Sequence, residues 1–415
     1  MTTANSYDEL ARWVDAHHSE QVEFLRELVR VPSDTPPGDN APAAEKAAAL
    51  LATLDFPVER HPVPVSFLRE YGMQSVTNLI VRQRFAEGGP TVALNAHGDV
   101  VPPGEGWTKP PYEGVVENGR MYGRGVAVSK SDIASYAYAL AALRALQATG
   151  AGLRGAVELH FTYDEELGGL AGPGFLLSNN LTKPDYAIAA GFSYAVVTAH
   201  NGCLQLEITV HGKSGHGAMP ETGRDAFRAG NAILNALYAE ADALKAMKSA
   251  VEGIDHPTMI VGLIRGGINT NVVPDKLVLR LDRRLTPEED PAAVERRVRS
   301  LVEGAIAGRE GIRVDIRRLL LANALKPLPG HEKLVETIQR HAERVFGEAI
   351  APIGTPLYAD ARLYGERGIP IVMYGAGPRK LADSNAKRPD ENLVLEDLRR
   401  ATQVIACTVR DLLHP

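Results

Sequence analysis

The spacing of hydrophobic positions changes several times along the chain, and each change predicts an element. Over residues 7–31, Leu10, Trp13, Val14, Phe24, Leu25 and Leu28 recur at helical spacing, and Pro32 closes the helix. Residues 33–40 read as loop and 43–54 as an Ala- and Leu-rich helix. Strands are expected at 63–65, 78–83, 91–96, 156–162 and 186–190, with helices at 133–149 and 173–179 between the later ones. Strands alternating with helices predict a parallel sheet covered on both faces.

After His200 the rhythm changes. Residues 203–210 alternate like a strand, 224–245 follow a helical period, and 259–264 and 276–281 read as two strands. A helix at 287–307 and a strand at 312–319 complete the order βαββαβ, which predicts one antiparallel sheet with two helices on one side. This is a complete small domain inserted in a larger one. A helix at 332–346, a loop at 355–360, a strand at 369–374 and a helix at 395–413 return to the first domain. The expected division is 1–201 and 321–415 for the larger domain and 202–320 for the insert. No internal repeat or low-complexity tract interrupts the pattern.

Composition narrows the class. The 415 residues, 45% hydrophobic and 23% charged, are those of an ordinary globular protein with a full core. A net charge of −6 argues against a polyanion-binding surface, and so against nucleic acid as a partner. Two cysteines, Cys203 and Cys407, make no disulfide framework and read as buried thiols of a reducing compartment. The polar first residues hold no apolar signal core, and no run is long enough to cross a membrane. The expected location is cytoplasmic.

Candidate chemistry starts at Phe161-Thr-Tyr-Asp-Glu-Glu-Leu-Gly-Gly169. Three acids, Asp164, Glu165 and Glu166, follow an apolar strand and precede a glycine turn. Beyond a strand end, neighbouring side chains can converge on one cleft, where one carboxylate holds a cation while the next takes a proton from water. A solvated acidic turn would look the same in isolation. His97-Gly98-Asp99, at the end of the 91–96 strand, offers an imidazole with a carboxylate two residues on. Ligands form sites at such strand ends in α/β sheets. Gly266-Gly267 lacks the strand–glycine–helix context of a phosphate cradle and reads as a hairpin or loop.

The motifs taken together resemble the metallopeptidases and amidohydrolases that include acetylornithine deacetylase, succinyl-diaminopimelate desuccinylase, aminoacylase and carboxypeptidase G. They run in order along nearly the whole chain: His97-Gly-Asp-Val-Val-Pro102, Gly123-Arg-Gly125, Thr162-Tyr-Asp-Glu-Glu-Leu-Gly168, the segment around His216 and Pro220, Asn271-Val-Val-Pro274, Asp282-Arg-Arg284, Asp360-Ala-Arg362, Tyr374-Gly-Ala-Gly377 and Pro389-Asp-Glu391. The resemblance implies a zinc-binding α/β domain, a mixed sheet flanked by helices, with an inserted α+β lid that often dimerises. A homodimer or higher homo-oligomer through the lid is therefore expected. It also implies Glu165 as general base, His97 and Glu166 as metal ligands, and Asp99 behind His97. His216 would meet the developing oxyanion. Asn271, Arg284, Arg362 and Lys387 would hold the substrate, Arg284 through a carboxylate, which its planar fork suits.

Three positions depart from that pattern. The bridging aspartate of the family corresponds to Val128, a second acidic ligand to Gly191, and the final histidine ligand to Lys387. Each metal keeps one protein ligand, whereas zinc normally takes three or four. A two-zinc centre is not expected. Two resolutions stay open: Lys387 supplies the charge of a metal, or one weakly held divalent metal, zinc or manganese, sits between His97 and Glu166. Asp132 is a candidate replacement for the bridge, His200 a spare imidazole or a buried structural one, and 129–131 a polar helix start. The expected function is hydrolysis of a C–N bond, amide or amine, in a small carboxylate-bearing molecule. The alternative is an inactive relative that binds a small ligand between its domains.

Overall fold

A computed structural model of the chain describes residues 3–414. The chain divides into two compact units. The first is built from the stretch ending at Thr198, from Pro327–Ile353 and from the stretch beginning at Ala359; the second holds Ala199–Lys326 and Gly354–Tyr358. The short return of 354–358 to the second unit was not legible in the sequence. It is held there by backbone bonds, Gly354 N–H to Glu252 C=O at 2.7 Å and Asn201 N–H to Thr355 C=O at 3.1 Å.

An eight-stranded sheet runs in the order Val58–Pro62, Thr77–Arg84, Arg154–Thr162, Ala86–His97, Tyr186–Ala189, Ile371–Met373, Ala195–His200, Ala351–Thr355. Its centre is parallel: Ala86–His97 pairs in parallel with Arg154–Thr162 on one side and Tyr186–Ala189 on the other. The sheet as a whole is mixed, because Thr77–Arg84 meets Arg154–Thr162 antiparallel. The later halves of Ala86–His97 and Arg154–Thr162 are buried, as strands covered on both faces must be.

The helix Lys130–Ala148 is buried over most of its length, which explains why its Ala-rich sequence shows no polar face. It packs against Leu395–Leu413, which in turn meets His331–Phe346. The single helix expected over 7–31 is two, Thr3–Ala16 and His18–Val29, parted at His17. Residues 58–62 form the strand expected at 63–65, and Val65–Glu70 is helical. A small sheet of Val115–Glu117, Arg120–Tyr122 and Asn392–Val394 has runs too short to carry a readable period.

The second unit is the expected βαββαβ arrangement. Its four-stranded antiparallel sheet has the order Thr258–Gly266, Lys276–Leu285, Gly202–His211, Arg313–Ala322, with helices Ala226–Leu244 and Pro291–Ala305. Leu204, Leu206, Ile208 and Val210 alternate inward from the central strand onto Ile233 and Leu237 of the first helix. Asp225 and Asp290 cap the two helices by accepting backbone N–H groups of the first turn.

A buried polar network crosses the large sheet. Glu158 accepts from Arg82, Thr182 and His160, and His160 Nδ1 lies 2.8 Å from the Tyr364 hydroxyl. Burial works against ionising Glu158, but His160, Thr182 and Arg82 outweigh it and hold the carboxyl down at about 2. Because that value lies below the ordinary 4.5, the stability it adds is complete above the ordinary value and is lost as pH falls toward 2. Glu158→Gln is therefore expected to cost about 1–3 kcal/mol at neutral pH. It should also flatten the loss of stability between about pH 5 and pH 2, read from urea midpoints across that range.

Candidate functional site

Three adjacent parallel strands end side by side. His97 pairs with Thr162, and Asn95 with Ala189, so the segments leaving these strands (98–99, 163–169 and 190–193) begin together at one edge. Gly98 allows the close approach of the first two: a Cβ there would lie 2.3 Å from the Tyr163 ring. Asp99 then ties them. Its carboxylate accepts the N–H of Glu165 at 3.2 Å and of Glu166 at 3.0 Å, and one oxygen lies 3.3 Å from His97 Nδ1.

His97 is 6% exposed, with Nε2 3.9 Å from Glu165 Oε2. Burial disfavours its charge, but Glu165, Asp99 and Glu166 together push the imidazole up to about 10. Lys387 joins the same group, its Nζ donating to Glu166 Oε2 at 2.6 Å. Loss of solvent around it would lower its pKa; Glu166, Glu165 and Asp99 instead hold it above the ordinary lysine range. The structure thus brings His97, Asp99, Glu165, Glu166 and Lys387 together.

Arg362, expected to hold substrate, is 3% exposed and turned inward. It donates to the Gly168 carbonyl at 2.5 Å and to Glu366 at 3.1 Å, so it fastens the turn that carries Glu165 and Glu166. Asp132, a candidate bridge, is tied elsewhere. Its carboxylate accepts the N–H of Ala376 at 2.7 Å and that of Gly191, and burial pushes it up to about 7. Ser129 does not cap its helix; its hydroxyl accepts the His97 N–H at 3.1 Å. His200 is buried, with Nδ1 2.9 Å from the Asn201 carbonyl.

In the second unit, His216 and Asn271 are neighbours. Residue 216 pairs with Val272, and the Gly217 N–H donates to the Asn271 carbonyl at 2.8 Å. His216 is exposed, and its Nδ1 accepts the Ala218 N–H at 3.1 Å, so the neutral ring carries its proton on Nε2. Arg284 belongs to a different set of contacts. It donates to Asp282 at 2.8 Å and lies over the Tyr358 ring, while Asp282 also accepts from Gln205 at 2.9 Å and from the Cys203 thiol. Burial pushes both Cys203 and Cys407 up to about 12, which leaves them inert thiols at neutral pH.

Two scaffold residues carried no assigned role in the sequence. Glu391 is 2% exposed and holds Arg124 at 2.5 Å together with the N–H groups of Gly125 and Ala127 at 3.1 Å. Asp360 lies close enough to Glu165 and His97 to feel both charges, and burial pushes it up to about 8. Both sit in motifs that the sequence displays, but a lone acid in a loop has no period to betray its partner.

Residues 93–411 match the family described as Peptidase family M20/M25/M40. The chain belongs to this family. It is 28% identical over 374 residues to an acetylornithine deacetylase of Myxococcus xanthus, covering 89% of this chain and 92% of that relative. Its fold matches the di-peptidase Dug1p of Saccharomyces cerevisiae with a TM-score of 0.78 at 14% identity over 99% of both chains. It also matches a dinuclear metal binding peptidase of Bacillus subtilis, with a TM-score of 0.64 at 18% identity over 96% of this chain and 99% of that one. Membership makes the chain an M20-type hydrolase of amide bonds, in a family that is generally metal-dependent.

The donor set at the three strand ends does not fit a dinuclear centre. Val128 offers no donor atom, and Lys387 when protonated carries no acceptor. Gly191 has no room for a ligand: a Cβ there would lie 2.7 Å from both Met373 C and Tyr374 N, all backbone. Among the described residues, no three His, Cys, Asp or Glu side chains are grouped as metal ligands. Gly191→Asp is therefore expected to destabilise the protein by about 1–3 kcal/mol through this overlap, measured as a lower urea midpoint with unchanged slope.

Proposed function

We propose that this M20 family member hydrolyses a C–N bond, amide or amine, of a small carboxylate-bearing molecule, with Glu165 as the base that takes a proton from water. The observation that carries the reading is the fixing of Glu165. Its backbone N–H is held by Asp99, and its carboxylate stands 3.9 Å from His97 on a turn that Arg362 fastens. A base held in one place needs no reorganisation when the proton moves. His216, carrying its proton on Nε2, is a hydrogen-bond donor for a developing oxyanion. Asn271, Arg284 and Lys387 are the proposed substrate contacts, Lys387 beside Glu166. The Arg284 guanidinium already pairs with Asp282, so a substrate carboxylate would share or displace that partner. One weakly held zinc or manganese ion, or none, completes this reading.

A second reading, an inactive relative that binds a small ligand, is favoured by one observation, the ion pair between Lys387 and Glu166. Turnover of N-acyl amino acids and dipeptides separates the two. Glu165→Gln should lower kcat by about 10²–10⁴-fold on any substrate found while leaving the fold intact by circular dichroism. Ligand binding by calorimetry without turnover across the whole panel would support the second reading instead.

The proposed location is cytoplasmic and the proposed assembly a homodimer or higher homo-oligomer through the second unit. In support, the edge strand Thr258–Gly266 exposes Ile260 and Ile264, 59% and 53% accessible. Ile264→Lys should shift the mass measured by light scattering toward the single chain, whereas an unchanged mass would point away from this edge.

A further inference from the structure

We infer that Lys387 is a built-in counter-cation for the acidic cluster, and that this chain folds and holds its site without the divalent metals its family implies. Four independent features converge on this assignment.

The first is the contact itself. Lys387 Nζ lies 2.6 Å from Glu166 Oε2, a carboxylate whose side chain is 8% exposed and which has Glu165 and Asp99 as like-charged neighbours. A buried carboxylate in such company needs a cation beside it.

The second is the conformation that delivers the lysine. Lys387 has φ +61°, in the left-handed region that a non-glycine residue adopts only when its surroundings impose it. Asn385 and Asp390 in the same loop are also left-handed, at +50° and +56°. The loop is fastened at its far end, beyond Lys387. Asp390 accepts the Thr108 N–H and hydroxyl at 2.8 Å and the Lys109 N–H at 3.2 Å. Glu391 holds Arg124 and the N–H groups of Gly125 and Ala127, and also receives the Lys387 N–H at 3.4 Å. The segment that contains Val128 and the segment that contains Lys387 are thus bound to one carboxylate.

The third is the closure of position 191. Residues 191–193 and 375–377 are knitted together by Gly377 N–H to Gly191 C=O at 2.9 Å and Ser193 N–H to Gly377 C=O at 3.0 Å. The Ser193 hydroxyl reaches the carbonyls of Gly375 and Gly377, both at 3.0 Å. Asp132 holds the same two segments from the Lys130–Ala148 helix through Gly191 and Ala376. A side chain at 191 would run into the backbone of Met373 and Tyr374, so a ligand cannot be regained there by substitution alone.

The fourth is the use made of the residues around Val128. Ser129 is committed to the His97 N–H and Lys130 to the carbonyls of Leu28 and Val31, both at 3.1 Å, so neither neighbour turns a donor atom toward a metal in place of Val128.

The test begins with the full-length wild-type protein. It is loaded with excess zinc or manganese, desalted and analysed for metal per chain. The expected result is no stoichiometric metal and no rise in Tm with either ion. One or two ions retained per chain would overturn the inference. The ion pair is tested by a double-mutant cycle in thermal melts. Lys387→Met should lower Tm by stranding Glu166, and adding Glu166→Gln should recover part of the loss. An unchanged Tm in Lys387→Met, or a double variant worse than either single one, counts against the counter-cation role. Wild-type metal content decides the metal-free claim whether or not the variants fold. It also stands apart from the assignment of Glu165 as base, which is read from turnover.

Discussion

Like-charge crowding at one edge of a sheet is the constraint on which the first unit depends. Asp99, Glu165 and Glu166 are gathered where parallel strands end, with Asp164 and Asp360 packed behind them. Burying carboxylates without compensation is costly, and every notable feature nearby supplies either positive charge or N–H donors. His97 and Lys387 provide charge in front, and Arg362 lies behind. Asp99 is compensated by two backbone N–H groups, and Asp164 by that of Ala171 at 2.5 Å. The acids are held apart by donors and together by cations, and Glu165 and Glu166 sit on the single 3₁₀ turn Glu165–Leu167.

That balance gives the loops their shape. The 385–391 loop accepts three left-handed residues because Asp390 and Glu391 hold it at five hydrogen bonds and an Arg124 pair. The Glu165 turn is held from behind by Arg362, whose helix Ala361–Gly365 also carries Tyr364, the partner of His160 in the buried network of the sheet. Core, scaffold and site are therefore one connected set of polar contacts, and a change at Glu158 or Glu391 acts on groups far from it along the chain.

The second unit solves a different problem. Its core is an ordinary one of alternating strand residues under two capped helices, and the candidate polar residues lie in two separate sets of contacts. His216 and Asn271 share a short two-stranded ladder, whereas Arg284 is stacked on Tyr358 and paired with Asp282. An arginine already satisfied by an internal carboxylate is oriented before any ligand arrives.

The sequence by itself determined the alternation of strands and helices, the inserted βαββαβ unit and the acidic turn after an apolar strand. These are readable because periodicity and residue chemistry are local properties. Tertiary structure alone decided what the remaining polar residues do. Lys387 and Glu166 are 221 positions apart, and Asp132 and Ala376 are 244. It returned residues 354–358 to the second unit, turned Arg362 inward and gave Asp132 to the backbone of a closed loop pair. A hydrogen bond is set by where two groups meet in space, and between loops no period along the chain encodes that meeting.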